Sequence, residues 1–206
     1  RVFTFLMIAT AISAMCMSSL TLFDPMGTHP QLVSHPEFSD PVLVRAIFGW
    51  MMLYLAILTL NLAWYSWSAV QNRKDHGANR RPFNLLLQLV LLIASFNCSL
   101  RGVIIGQPMM IGIALIGYAT VGTNMWFMFN PSPKVTDWLT EHIKAIVGTG
   151  ISVYTAFFAF GAVRLMPELA LTPALWSVPL IVGLALILYH QRAVTRRIRK
   201  PATQAE

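Results

Sequence analysis

The sequence predicts an all-α integral membrane protein, a single domain over residues 1–206 built as a bundle of six transmembrane helices. Of its 206 residues, 56% are hydrophobic and only 11% are charged, whereas soluble domains carry about 25% charged residues. The apolar residues fall into six runs, each close to the roughly 20 residues that a helix needs to cross a bilayer. The longest connection between runs, from Asp24 to Pro41, is too short to fold as a soluble domain.

The breaks between the six runs contain residues that end or begin helices. The first run ends at Asp24-Pro25, and two further X-Pro pairs favour an extended loop after it. The second ends in a polar and basic turn, after which Pro82 suits the first turn of the next helix. Gly-Gln-Pro follows the third run, Asn-Pro-Ser-Pro the fourth and Pro167 the fifth. The predicted spans are about 2–23, 42–70, 83–105, 109–129, 136–165 and 173–195.

The distribution of basic residues predicts the orientation of these spans. The net charge is +7, but the charges lie at the ends of apolar runs, which argues against a nucleic-acid partner. With six spans, 12 of the 15 lysines and arginines fall on one side together with both termini. The positive-inside rule makes that side cytoplasmic, so both termini are predicted to be cytoplasmic.

The acidic residues bear on the class of function. All eight aspartates and glutamates fall in loops or at helix ends, whereas proton relays place ionisable groups inside the membrane. Hydrolase and zinc-protease motifs do not occur, no catalytic residue is predicted, and the hypothesis leans away from an enzyme. We therefore expect an accessory or scaffolding subunit of a larger membrane assembly that holds lipid or a small ligand. Its expected partners are the lipid bilayer and other membrane subunits or further copies of itself.

A second hypothesis is a carrier for a small anion or a lipid. Three arginines lie near the outer ends of predicted helices: Arg45, Arg101 and Arg164. With His29 and His35 of the outer loop they can form a cationic pocket, because guanidinium groups bind carboxylates and phosphates bidentately. The alternative is that these arginines anchor helix ends and pair with nearby acids. Arg101 is the strongest candidate of the three, since Asn97 lies one turn below it on the same helix face.

A third hypothesis is a redox or quinone-handling protein. His142 opens the fifth predicted helix and His190 closes the sixth. Two imidazoles at similar depth on consecutive helices can ligate a b-type haem or a metal, although a histidine at a membrane interface needs no such role. No cofactor is firmly implied by the sequence, and haem b is the one that this pair suggests. Asn61 and Asn97 are predicted to form hydrogen bonds between helices.

Several short motifs are shared with a known group of proteins. They are Arg45-Ala-Ile-Phe-Gly49-Trp50-Met51, Arg80-Arg81-Pro82, Trp138-Leu139-Thr140-Glu141-His142 and Thr155-Ala156-Phe157. In this order they resemble an uncharacterised family of small bacterial polytopic membrane proteins, a domain of unknown function, over most of the chain from about Arg45 onward. The resemblance implies a six-helix bundle in the bacterial inner membrane, and it implies no reaction.

Overall fold

The chain folds as a bundle of helices in the computed structural model, which describes residues 1–30, 38, 40–165 and 172–199. Every regular element among these residues is helical, which confirms the predicted all-α class. The long helices start within one residue of their predicted positions, and the last extends four residues further than predicted. They are α1 (Val2–Phe23), α2 (Pro41–Gln71), α3 (Pro82–Ile105), α4 (Pro108–Phe129), α5 (Asp137–Leu165) and α6 (Pro173–Arg199). Short helical turns lie at Pro25–Thr28 and His76–Arg80.

The helix ends follow local rules of the sequence. Helices α2, α3, α4 and α6 each begin with proline, whose fixed φ suits the first turn and whose missing N–H costs nothing there. The Asp40 side chain caps α2 by accepting a hydrogen bond from the Val42 N–H at 2.8 Å. At the end of α3, Gly106 has a φ of 72°, and the Gln107 N–H donates to the Gly102 carbonyl at 2.8 Å. This is a Schellman cap, and it turns the chain directly into α4.

Helix α2 contains a π-helical segment, Arg45–Met51, between its first turn and its regular α-helical part. A π-turn accommodates one extra residue and changes the direction of the side chains that precede it. Within this segment Gly49 packs against Leu22 of α1, and a Cβ on Gly49 would lie 2.5 Å from the Leu22 Cδ2. The absence of a side chain at position 49 therefore lets α1 approach the widened part of α2.

Helix α2 lies at the centre of the bundle. Its membrane-crossing window is 67% buried, against 17% for α1 and 11% for α6. It packs against α1, α3 and α5, while α4 packs mainly on α3, and α6 packs on α5. The bundle therefore consists of a central helix flanked by an α3–α4 pair and an α5–α6 pair, with α1 along the remaining side.

Within the described part of the chain, five helices are long and apolar enough to cross a membrane: α1, α2, α3, α4 and the part of α6 from Leu175 to Val194. The prediction of a helical membrane bundle is confirmed at this level. Helix α5 is not among these five within the described residues, because its first two turns carry Asp137, Glu141, His142 and Lys144 and its side chains 159–165 lie outside the described part. Its crossing of the membrane stays a prediction.

Hydrogen bonds bring alternate helix ends together at the same end of the bundle. The Tyr65 hydroxyl near the end of α2 donates to Glu141 in α5 at 2.7 Å. The Arg80 Nε, just before α3, donates to the Met128 carbonyl near the end of α4 at 2.6 Å. We call this the basic end of the bundle, and we call the end where α2 begins and α3 finishes the opposite end.

Candidate functional site

The two residues favoured by the sequence for anion binding, Asn97 and Arg101, lie together at the opposite end of the bundle. The Arg101 Nε donates a hydrogen bond to the Asn97 side-chain oxygen one turn earlier in α3, at 3.0 Å. The guanidinium lies over the indole ring of Trp50 in α2, 3.9 Å from the ring centroid. The stacking and the hydrogen bond hold the planar group in one orientation between two helices.

The two Nη groups of Arg101 are available to a ligand. Among the residues that the structure describes, Arg101 makes no ion pair, and its single side-chain hydrogen bond uses Nε. The acids expected as its partners are occupied elsewhere or lie outside the described residues. Asp24 and Asp40 accept hydrogen bonds from backbone N–H groups as helix caps, and Glu37 and Glu168 lie outside the described residues. Arg101 therefore presents a two-donor fork without a carboxylate partner in this part of the chain.

An apolar groove of about 240 Å³ lies next to Asn97 and the Trp50 ring, between α2 and α3. Its walls are otherwise apolar side chains and the Tyr54 ring. The lining residues are Trp50, Leu53, Tyr54, Ile57, Val90, Ile93, Ala94 and Asn97. A fixed guanidinium at the end of a narrow apolar groove suits an amphiphile with an anionic head and a hydrocarbon chain.

The groove keeps its shape because Tyr54 is held from behind by α4. The Tyr54 hydroxyl donates to the Ile113 carbonyl at 2.9 Å, and the side chain is 1% exposed. Gly117 of α4 makes room for this contact, since a Cβ there would lie 2.7 Å from the Tyr54 Oη and still closer to the Ser95 Oγ. Gly117 thus lets Tyr54 take the position in which its ring forms one wall of the groove.

Of the other predicted members of the arginine cluster, Arg45 and His29 form no hydrogen bond with Arg101 among the described residues. Arg45 is exposed in the π-helical segment, and its side chain forms no hydrogen bond or ion pair with the described residues. His29 is buried, with its Nε2 3.2 Å from the Thr21 hydroxyl and its ring against Phe48. Arg164 is in the last turn of α5, but its side chain, like all of His35, lies outside what the structure describes.

The two histidines of the haem hypothesis have different surroundings. The His142 Nδ1 lies 2.8 Å from the Ser66 hydroxyl and 3.1 Å from the Ser66 carbonyl, so the ring is fixed to α2. His190 is exposed and contacts the ring of its neighbour Tyr189. No contact joins the two imidazoles within the described residues, nor do those residues contain a cluster of three or more metal-ligating side chains. Haem ligation by this pair stays a prediction.

A chain of three buried amides, which we call the amide chain, joins α2, α3 and α4. The Gln88 Nε2 donates to the Asn61 Oδ1 at 3.4 Å, and the Asn124 Nδ2 donates to the Gln88 Oε1 at 3.3 Å. Each residue is at most 3% exposed. The Asn61 Nδ2 and the Asn124 Oδ1 have no hydrogen-bond partner among the described residues. If the oxygen and nitrogen of all three side-chain amides are exchanged, both hydrogen bonds of the amide chain run in the opposite direction. One terminal amide then still has an N–H group without an acceptor, and the other has an oxygen without a donor.

The amide chain was only partly predictable. The expected interhelical role of Asn61 is found, but the bond of Asn97 lies within its own helix. Sequence analysis missed Gln88, although a glutamine at the sixth position of the apolar run 83–105 is a visible signal. It also missed Trp50 as the partner of Arg101, because the two residues are 51 positions apart on different helices.

Comparison of the chain with known protein families, curated proteins and solved structures finds no match. The fold defines the class of protein, a helical bundle whose described residues include five helices long and apolar enough to span a membrane. Its function is therefore argued from its own geometry.

Proposed function

We propose that this chain is a non-enzymatic, multi-pass membrane protein that holds an anionic lipid at Arg101, as an accessory subunit of a larger membrane assembly. The observation that carries the proposal is the Arg101 guanidinium, fixed by Asn97 and Trp50 beside an apolar groove with both Nη groups unused by the described residues. The phosphate of the lipid receives the two Nη donors, and an acyl chain lies in the groove.

The proposed topology is that of a bacterial inner-membrane protein with six crossings and both termini in the cytoplasm. The count of basic residues on the two sides supports it. So does the packing of α5 along α2, the most buried of the candidate spans. In this topology Arg101 and its groove face the outer leaflet, so the ligand comes from the lipids of that leaflet.

The choice of a lipid follows from the charge and the shape of the site. A soluble anion would use the guanidinium alone, whereas the groove between α2 and α3 offers apolar walls over about 240 Å³. An anionic lipid matches both the guanidinium and the groove. Its head carries the negative charge, and its acyl chain packs against the apolar walls in place of disordered lipid. The fork of Arg101 favours phosphate, with which it forms two parallel charge-assisted hydrogen bonds.

The buried hydroxyls support a binding role over a catalytic one. Thr59, Ser95 and Thr149 each donate to the backbone carbonyl four residues earlier in the same helix. Ser66 lies beside His142, the pairing that nucleophilic catalysis uses. However, Ser66 is 1% exposed, so a substrate has no route to its hydroxyl.

The test replaces Arg101 by glutamine in the full chain, R101Q. The protein is purified in mild detergent, stripped of lipid and titrated with phosphatidylglycerol, and bound lipid is counted by native mass spectrometry. Charge-assisted hydrogen bonds contribute about 1.5–3 kcal/mol, so we expect the affinity of R101Q to fall by about tenfold or more.

The matched control is R45Q, which removes the same charge from the same end of the bundle at an exposed arginine that forms no side-chain hydrogen bond or ion pair with the described residues. We expect R45Q to bind as the unaltered chain does, and phosphatidylcholine to bind weakly to all three proteins. Equal phosphatidylglycerol affinity for R101Q and R45Q, with both folded, would refute the site.

A further inference from the structure

A second cavity, with a different character, lies at the basic end of the bundle. It has a volume of about 510 Å³ and lies where α1 begins, α2 ends and α5 begins. Arg1, Arg73, Lys74 and His142 line it, and Val70 and Ile146 form part of its apolar wall. It is separated from the Arg101 site by the length of α2, so the two sites are independent.

The charge of this cavity is positive. Three of its described lining residues carry full positive charges, and none of the described residues that line it is an aspartate or a glutamate. The Glu141 carboxylate next to His142 in the sequence is already engaged, because it accepts a hydrogen bond from Tyr65 and pairs with Lys144. Arg1 and Arg73 lie over the rings of Trp67 and Trp138, each with 5.8 Å between guanidinium and ring centroid. Their charges are therefore held near the cavity by aromatic contacts.

His142 adds a hydrogen-bond acceptor to these cations. The proton is assigned to the His142 Nδ1, because in that tautomer Nδ1 donates to both Ser66 oxygens, the hydroxyl at 2.8 Å and the carbonyl at 3.1 Å, and the carbonyl can only accept. In the neutral ring Nε2 then carries the lone pair. No described residue bonds to this Nε2, and it is not among the buried atoms that lack a partner, so it is open to the cavity that His142 lines.

We infer that this cavity binds a phosphate group with a protonatable oxygen, supplied by inorganic phosphate or by the monoester head of phosphatidic acid. The Arg73, Lys74 and Arg1 side chains neutralise the charged oxygens, and the His142 Nε2 accepts a hydrogen bond from the protonated oxygen. A phosphodiester without other donors lacks that proton, so the imidazole distinguishes the two groups. The Val70 and Ile146 wall receives the glycerol end of the lipid when the source is phosphatidic acid.

The first experiment compares charge variants of the full chain in nanodiscs of phosphatidylcholine. R73Q and K74Q each remove one cation from the cavity, and K134Q removes one from an exposed position at the same end. We expect R73Q and K74Q to weaken binding of inorganic phosphate, or of phosphatidic acid placed in the nanodisc, roughly tenfold. K134Q should bind as the unaltered chain does. Equal affinities for R73Q, K74Q and K134Q would overturn the inference, as would the binding of neither probe.

The second experiment tests the role of the imidazole. H142N retains a hydrogen-bonding group near the position of Nδ1 but has none at Nε2, whereas H142Q reaches the Nε2 position. We expect the unaltered chain to prefer phosphatidic acid to phosphatidylethanol, a diester without another donor. H142N should reduce this preference severalfold, and H142Q should retain part of it. An unchanged preference in H142N would overturn the assignment of Nε2.

The two probes also identify the source of the group. Phosphatidic acid binding at least tenfold tighter than inorganic phosphate assigns the cavity to a lipid head. Equal or tighter binding of inorganic phosphate assigns it to the soluble anion. Either result supports a phosphate site, provided that R73Q weakens binding of the probe that binds.

Discussion

Replacing Gly117 by alanine tests how the groove beside Arg101 is built. The new methyl group would lie 2.7 Å from the Tyr54 Oη and closer still to the Ser95 Oγ. Tyr54 is 1% exposed and Ser95 is fully buried, so neither can move into open space without disturbing its neighbours. The helix must therefore shift, or Tyr54 must leave the Ile113 carbonyl to which it now donates.

The size of the effect follows from three contributions. Overpacking a close contact costs roughly 1–3 kcal/mol. A Tyr54 hydroxyl left buried without its acceptor costs about 1–3 kcal/mol more. Alanine is the better helix former by about 1 kcal/mol, which offsets part of the loss. We expect G117A to lower the free energy of unfolding by about 1–5 kcal/mol and, because Tyr54 is a wall of the groove, to weaken phosphatidylglycerol binding as well.

The same helix supplies the control. Gly122 is exposed in α4, and a Cβ there meets no atom within 4 Å, so G122A should be neutral or slightly stabilising. Unfolding in mixed micelles with increasing sodium dodecyl sulfate, followed by circular dichroism and tryptophan fluorescence, gives the two midpoints. If G117A and G122A unfold at the same midpoint of sodium dodecyl sulfate, the inferred close contact between α2 and α4 at Gly117 is refuted.

Two further changes test the packing of the bundle. Q88L removes both hydrogen bonds of the amide chain and should destabilise the protein by about 1–3 kcal/mol in the same unfolding assay. Replacing all three amides by leucine should recover part of this stability, because no buried amide is then left without a partner. A triple variant less stable than Q88L would contradict this explanation. G49A brings a methyl group onto Leu22 and should cost about 1–3 kcal/mol. Its control is G150A, where a Cβ meets no atom within 4 Å, and equal stability of the two variants would rule out close packing of α1 on the π-helical segment.

The helices could be predicted from the sequence because their ends have local causes. Pro82 and Pro108 begin helices, and Gly106 provides the left-handed conformation that a Schellman cap requires. These signals do not depend on which helices are neighbours. The predicted ends of the spans therefore agree closely with the structure.

The site was less predictable, because lipid-facing and core-facing positions of a membrane helix are both apolar. Leu91 is fully buried and Ile93 is 59% exposed in α3, yet nothing in their chemistry distinguishes them. The pairing of Arg101 with Asn97 could be predicted, since it lies within one helix. Its contact with Trp50 and the attachment of His142 to Ser66 depend on how α2 packs against α3 and α5, which the sequence pattern does not specify.

The π-helical segment, Arg45–Met51, has a consequence for how the length of this chain can change. An α-helix advances about 100° per residue, so deleting one residue from a regular helix rotates everything before it relative to the core. Here the extra residue is already accommodated. Removing it would restore regular helical geometry while the α-helical part, Met52–Gln71, keeps its register with α5. The start of α2 is thus the place where the chain can gain or lose a residue while the rest of the bundle keeps its packing.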